Sequence, residues 1–136
     1  MTINSDKNLK RINYPSGSKW EDVVGYSRVV KVGNIIEVSG TTAIDENGKI
    51  HGLNDPFLQT KFILEKIEKY LNKAGASIEH VVRTRMYVTD IDQWEKIGLA
   101  HRIFFRDIKP ATSMIEVSKL IEPNLLVEIE VTAIIS

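Results

Sequence analysis

Polar and apolar residues alternate through the last third of the chain. Pro110-Ala111-Thr112-Ser113-Met114-Ile115-Glu116-Val117 repeats with period two. So does Leu126-Val127-Glu128-Ile129-Glu130-Val131, after a turn around Pro123-Asn124. That period is the side-chain alternation of a half-buried strand. Ser113, Ile115 and Val117 share one face of the first strand. Val127, Ile129 and Val131 share one face of the second, with Glu128 and Glu130 on the reverse. Carboxylates on the reverse of a strand need water, a cation or a partner subunit.

Upstream, Leu9 to Tyr14 reads as a short strand entering the turn Pro15-Ser16-Gly17-Ser18. Trp20 to Tyr26 shows no regular period. Ser27–Val32 and Ile35–Ser39 flank Gly33-Asn34, whose residue types suit the positive backbone angles of a hairpin turn. A second turn is predicted over Asp45–Gly48. Asp55-Pro56 opens a helix: an N-cap oxygen, then proline at the first helical position, where its missing N–H costs nothing. Phe57, Ile63, Leu64, Ile67, Tyr70 and Leu71 recur at helical spacing, and Gly75 supplies the stop.

His80 to Thr89 reads as a strand with Val82, Thr84, Met86 and Val88 on one face and Val81, Arg83, Arg85 and Tyr87 on the other. A second helix starts near Asp90 or Asp92, where Asp92 with Glu95 would form a capping box. Its apolar stripe is Trp94, Ile97, Phe104 and Ile108, with His101 in the middle. Two helices among roughly six strands predict an α+β layer: one sheet with helices on one face. The other face, carrying Arg83, Arg85, Tyr87, Glu128 and Glu130, is too polar for a monomer core. A symmetric oligomer with sheets facing inward would cover it.

Composition narrows the options. A chain of 136 residues reads as one domain, residues 1–136, with residues 1–8 a flexible tail. Lys plus Arg equals Asp plus Glu, 18 each, so the basic excess of an electrostatic nucleic-acid footprint is missing. With no cysteine there is no disulfide, thiolate metal site or Cys nucleophile. His51, His80 and His101 lack metal-ligand spacing, so no metal or other cofactor is expected. No apolar run approaches a membrane span, and the polar N-terminus lacks a signal-peptide core, so the expected location is cytoplasmic.

P-A-x-S-x-x-E-V followed by V-E-I-E resembles the C-terminal signature of the Rid (YjgF) family of reactive-intermediate imine deaminases. Gly25-Tyr26, Val32-Gly33-Asn34, Ser39-Gly40, Gln59, Gly75-Ala76-Ser77, Val81-Val82, Val88 and Asp90-Ile91 extend the likeness over about residues 20–135. The resemblance implies a chorismate-mutase-like fold with a six-stranded mixed sheet. It also implies a homotrimer with a small-molecule cleft between neighbouring subunits. In the deaminases an Arg grips the carboxylate of a 2-imino acid, where this chain has Thr112; Gly98 stands where they have a helix asparagine. An Arg fork binds carboxylate bidentately, each charge-assisted bond contributing roughly 1.5–3 kcal/mol, and one neutral hydroxyl does not replace it. The resemblance therefore implies a branch that does not deaminate typical 2-imino acids.

Carried over by position, Tyr26, Ser39, Gly40 and Thr112 line the cleft and Glu130 places the attacking water. Arg85 is a candidate replacement cation, or the plain ion-pair partner of a cross-strand glutamate. His101 is a candidate general base or acid, its ordinary pKa lying near neutrality; the alternative is a neutral histidine hydrogen-bonded in a helix–sheet core. Glu116 and Glu128 read as structural or interfacial. Ser39 has no nucleophile-elbow context. Three functions follow: water addition to a small imine, enamine or related neutral metabolite; metabolite binding without turnover; and the RNA cleavage or translation inhibition historically attached to the family.

Overall fold

The computed structural model of the chain describes residues 9–136, so the tail expected over residues 1–8 lies outside the described residues. Six strands form one mixed sheet: β1 (Arg11–Tyr14), β2 (Val29–Val32), β3 (Ile35–Thr42), β4 (Val81–Val88), β5 (Ala111–Glu116) and β6 (Val127–Ile134), in the order β1-β2-β3-β6-β4-β5. Every pairing is antiparallel except β4 with β5. A parallel neighbour needs a long crossover, here built around α3 (Trp94–Phe105). The other helices are α1 (Lys19–Val24) and α2 (Pro56–Lys73).

The predicted signals of α2 act as expected. The Asp55 carboxylate accepts from the Leu58 N–H at 3.0 Å, and Pro56 takes the first helical position. At the other end Gly75 (φ 85°) lets Ala76 N–H reach Leu71 O, while its own N–H reaches Asn72 O. That paired closure satisfies carbonyls the helix would leave orphaned. The buried stripe of α2 (Ile63, Leu64, Ile67, Leu71) and Ile97 and Phe105 of α3 pack on Ile36, Val38, Met86, Val88, Val127, Ile129 and Val131. Each aliphatic side chain fully buried there contributes roughly 1.5–3 kcal/mol. The reverse face of the sheet carries the alternating polar set, including Arg85, Tyr87, Glu128 and Glu130.

Four local expectations need correction. Trp20–Tyr26 contains a helix, α1, capped by the Ser18 hydroxyl and closed by Gly25 at φ 91°. Its six residues are too few for an amphipathic period to show. The Asp92–Glu95 capping box does not form: Asp90 caps a single tight turn at Ile91–Gln93, and α3 begins at Trp94 without a side-chain cap. Trp94 is 57% exposed, so the α3 stripe starts at Ile97. On β4 a register shift between Val81 and Arg83 turns Val81 into the core and leaves Val82 43% exposed. Such a bulge swaps the two faces by one residue, which period-two counting cannot see.

Candidate functional site

The open sheet face is shaped by an irregularity in β3. Val38 pairs with Val131 and Thr41 with Ile129, so Ser39 and Gly40 both stand opposite Glu130. This is a β-bulge, and glycine suits its close approach. The approaching group is Glu128: a Cβ on residue 40 would lie 2.0 Å from Glu128 Oε2. Burial pushes the Glu128 carboxyl above its ordinary pKa, Glu130 adds to the rise by like charge, and Arg28 opposes it. A carboxyl so placed is poised to exchange a proton nearer neutrality.

Arg28 holds the bulge from the other side. Its Nη1 donates to Gly40 O at 2.7 Å, Ser39 O at 3.2 Å and Thr41 Oγ1 at 3.2 Å. The Tyr26 hydroxyl lies 3.5 Å from Nη2, and the guanidinium sits over the rings of Tyr26 and of Tyr70 from α2. The Ser39 hydroxyl donates to Ser27 O at 2.6 Å, tying the bulge to the strand entry. Helix α1 fixes that entry: the Glu21 carboxylate accepts from the Ser16 N–H and hydroxyl, and Gly25 turns the chain towards Tyr26.

Beside the bulge, Val30, Glu37, Val38, Ser39, Arg85, Glu130 and Val131 line a groove of about 310 Å³. Glu130 accepts from the Tyr87 hydroxyl at 2.9 Å and lies 3.9 Å from Arg85 Nε, a loose and half-exposed pair. Of the predicted residues Ser39, Arg85 and Glu130 line this groove, Gly40 adjoins Ser39 in the bulge, and Tyr26 contacts the bulge through Arg28.

His101 and Thr112 do not line the groove. Thr84 pairs with Thr112 across β4–β5, and both hydroxyls turn to the helix layer. His101 Nε2 lies 2.9 Å from Thr84 Oγ1, which lies 2.8 Å from Thr112 Oγ1; the last donates to Pro110 O at 3.0 Å. With the Thr112 proton on Pro110 O, Thr84 donates to Thr112 and accepts from His101 Nε2–H. One tautomer satisfies the whole chain. Burial brings His101 down to about 4, so the ring is neutral at pH 7. Within one chain His101 and Thr112 lie on the opposite side of the sheet from Glu130.

Two residues at the bulge escaped sequence reading. Glu128 read as structural or interfacial, and only the bulge shows that its carboxylate lies over Gly40. The signal was present, since a glycine inside a strand suggests a bulge or close contact. Arg28 precedes a strand and carries no pattern of its own. Among the described residues no three His, Asp or Glu side chains cluster closely enough to hold a metal ion, and no helix is long and apolar enough to cross a membrane.

Comparison with known proteins fits this architecture. Residues 16–135 match the family model described as endoribonuclease L-PSP. A RutC family protein of Pyrococcus abyssi is 38% identical over 109 residues, covering 79% of this chain and 84% of its own. The 3-aminoacrylate deaminase RutC of Acinetobacter baylyi is 30% identical over 120 residues, covering 88% and 94%. In structure, a YjgF/YER057c/UK114 family member from Mycobacterium tuberculosis superposes with a TM-score of 0.84 at 45% identity, over 93% of this chain and all of that one. Matched over nearly its whole length in sequence and in fold, the chain belongs to the endoribonuclease L-PSP family, the YjgF or Rid family.

Proposed function

We propose that the protein adds water to a small imine or enamine and releases ammonia, in a cleft that neighbouring copies of a homotrimer complete. The observation carrying this reading is the Glu128 carboxylate over Gly40, raised in pKa, at the bulge whose Ser39 lines the groove together with Arg85 and Glu130. An enamine first becomes an imine by moving a proton from nitrogen to carbon. Glu128 takes a proton from water as the water oxygen bonds to the C=N carbon, and returns it to nitrogen to give the carbinolamine. Glu128 then takes the carbinolamine hydroxyl proton and delivers it to the amino nitrogen as the C–N bond breaks, leaving ammonia and a carbonyl. One carboxyl serves as base and then acid, which asks for a pKa near working pH. Glu130, held by Tyr87, supplies the neighbouring negative charge, and Arg85 borders the substrate groove.

The 3-aminoacrylate deaminase among the relatives supports the C–N reaction class. We read the substrate as a small metabolite without an obligatory carboxylate clamp, because the Thr112 hydroxyl is already bonded to Thr84 and Pro110. In this reading His101 holds α3 to β4 rather than moving substrate protons.

Ammonia release from freshly generated imines and enamines, neutral and carboxylate-bearing, tests the reading. The wild type should accelerate release, neutral substrates should do best, and Glu128→Gln should lose roughly 10²–10⁴-fold. A wild type that accelerates none of them, or a Glu128→Gln variant at full rate, sinks it; a ligand retained without ammonia release would favour binding alone. A monomer by mass in solution would remove the shared cleft.

A further inference from the structure

We propose that Arg28 is a positioning residue: its guanidinium holds the Ser39–Gly40 bulge in the one shape that lets the Glu128 carboxylate lie over Gly40. The inference rests on the proposed role of Glu128 and adds a residue that no motif of the chain singles out.

The geometry is specific. A single nitrogen, Nη1, gathers two successive main-chain carbonyls, Ser39 O and Gly40 O, with the Thr41 hydroxyl. The Thr41 hydroxyl in turn donates to Ser39 O at 2.8 Å. These are the residues where the β3–β6 register shifts. Arg28 is only 8% exposed, its guanidinium lies over the Tyr26 and Tyr70 rings, and its main-chain oxygen accepts from Ser39 N–H. Among the described residues the ion pairs within 4.0 Å are Arg85–Glu130 and Arg106–Asp107, so Arg28 spends its fork on neutral acceptors. A buried cation bound only to carbonyls and hydroxyls is costly, and its return is a fixed backbone and an uncancelled positive field. Glu128 lies in that field.

The charged and titratable groups around Glu128 are Glu130 on the same strand, Tyr87 on β4 and Arg28 before β2; Lys66 of α2 lies near Arg28 and donates to Thr42 O and Ile44 O. Arg28 is the one cation among them that acts directly on Glu128. A lysine at 28 would keep the charge and lose the planar guanidinium, whose Nη1 reaches the bulge while Nη2 meets Tyr26, and glutamine would lose the charge as well.

The full chain labelled with ¹³C-glutamate gives a readout independent of activity, the Glu128 carboxyl assigned by its loss in Glu128→Gln. Arg28→Gln should move the Glu128 titration midpoint up by about one pH unit. Arg28→Lys should leave the midpoint near wild type while amide exchange at Ser39, Gly40 and Thr41 quickens about tenfold or more. If the enzyme turns over, the acid limb of kcat/KM should follow the midpoint in both variants. A folded Arg28→Gln protein with an unmoved midpoint overturns the inference. Should that variant not fold, Arg28→Lys decides alone: unchanged exchange at the bulge overturns it. A midpoint that moves in a protein inert towards every imine would overturn the deaminase reading and leave the Arg28 assignment standing.

Discussion

The two faces of the sheet solve opposite problems. On the helix face aliphatic residues fill the core, and the imidazole and two hydroxyls there form one connected chain of hydrogen bonds. On the open face two carboxylates crowd one end of β6, one lies against a glycine, and a groove remains beside them. The same strands serve both, because alternation sends Ile129 and Val131 one way and Glu128 and Glu130 the other. The contrast separates stability from chemistry. Substitutions on the helix face should cost folding free energy; those on the open face should cost rate.

The sharpest way to break that contrast is at Gly40. A Cβ there would meet Glu128 Oε2 at 2.0 Å. Gly40 carries no positive φ, so alanine fits the backbone and the far end of a flexible side chain must move instead. Displacing a reacting group by about 1 Å costs on the order of a hundredfold in rate. Gly40→Ala should therefore lose about a hundredfold in ammonia release while its unfolding free energy falls by less than about 1 kcal/mol. Equal losses of rate and stability would mean that the bulge is scaffold only.

Sequence reading went far with regular elements and less far with irregular ones. The α2 signals at Asp55, Pro56 and Gly75 are local, and local hydrogen bonds decide them. Period-two alternation located β4 and β6 for the same reason. The bulges at Val81–Val82 and Ser39–Gly40 depend on which residue a neighbouring strand presents, and no local pattern holds that information. The same irregularities decide how the candidate residues are distributed over the two faces of the sheet. Glu130 and Arg85 do border a groove, but the carboxylate over Gly40 is Glu128. His101, chemically the most versatile residue in the sequence, sits on the face where chemistry is spent on packing. Thr112 reached the cleft list by family position alone; it is an exposed residue of the edge strand β5 whose hydroxyl meets Thr84 on the helix side.

His101 should show its effect in acid. Its pKa stands at about 4, lowered by burial from 6.5. As pH falls from 6.5 towards 4 the unfolded chain takes up a proton that the folded chain refuses. This group's contribution to stability is thus full above pH 6.5 and declines through that window. The loss is about 2 kcal/mol after allowing for the water that still reaches the ring. Urea denaturation across pH 4–7 checks it by difference: His101→Asn keeps a donor for Thr84 and removes the titration, so its acid slope should be shallower by that amount. Identical slopes would show a ring freely protonated in the folded state.

Thr112 carries the smallest effect and tests the inward chain most directly. Valine matches threonine in shape but lacks the oxygen that accepts from Thr84 and donates to Pro110 O. Thr84 is fully buried, so its hydroxyl proton would have no acceptor at hand except the imidazole nitrogen that already donates to it. Leaving one such donor unmet costs about 1 kcal/mol, or roughly 3–5 °C in Tm for a chain of this size. Thr112→Val should show that loss, and the His101→Asn, Thr112→Val double variant should lose less than the sum of the two, because both break one chain of bonds. Strict additivity would mean that the hydroxyls and the imidazole act separately, and that residue 112 is free to face elsewhere.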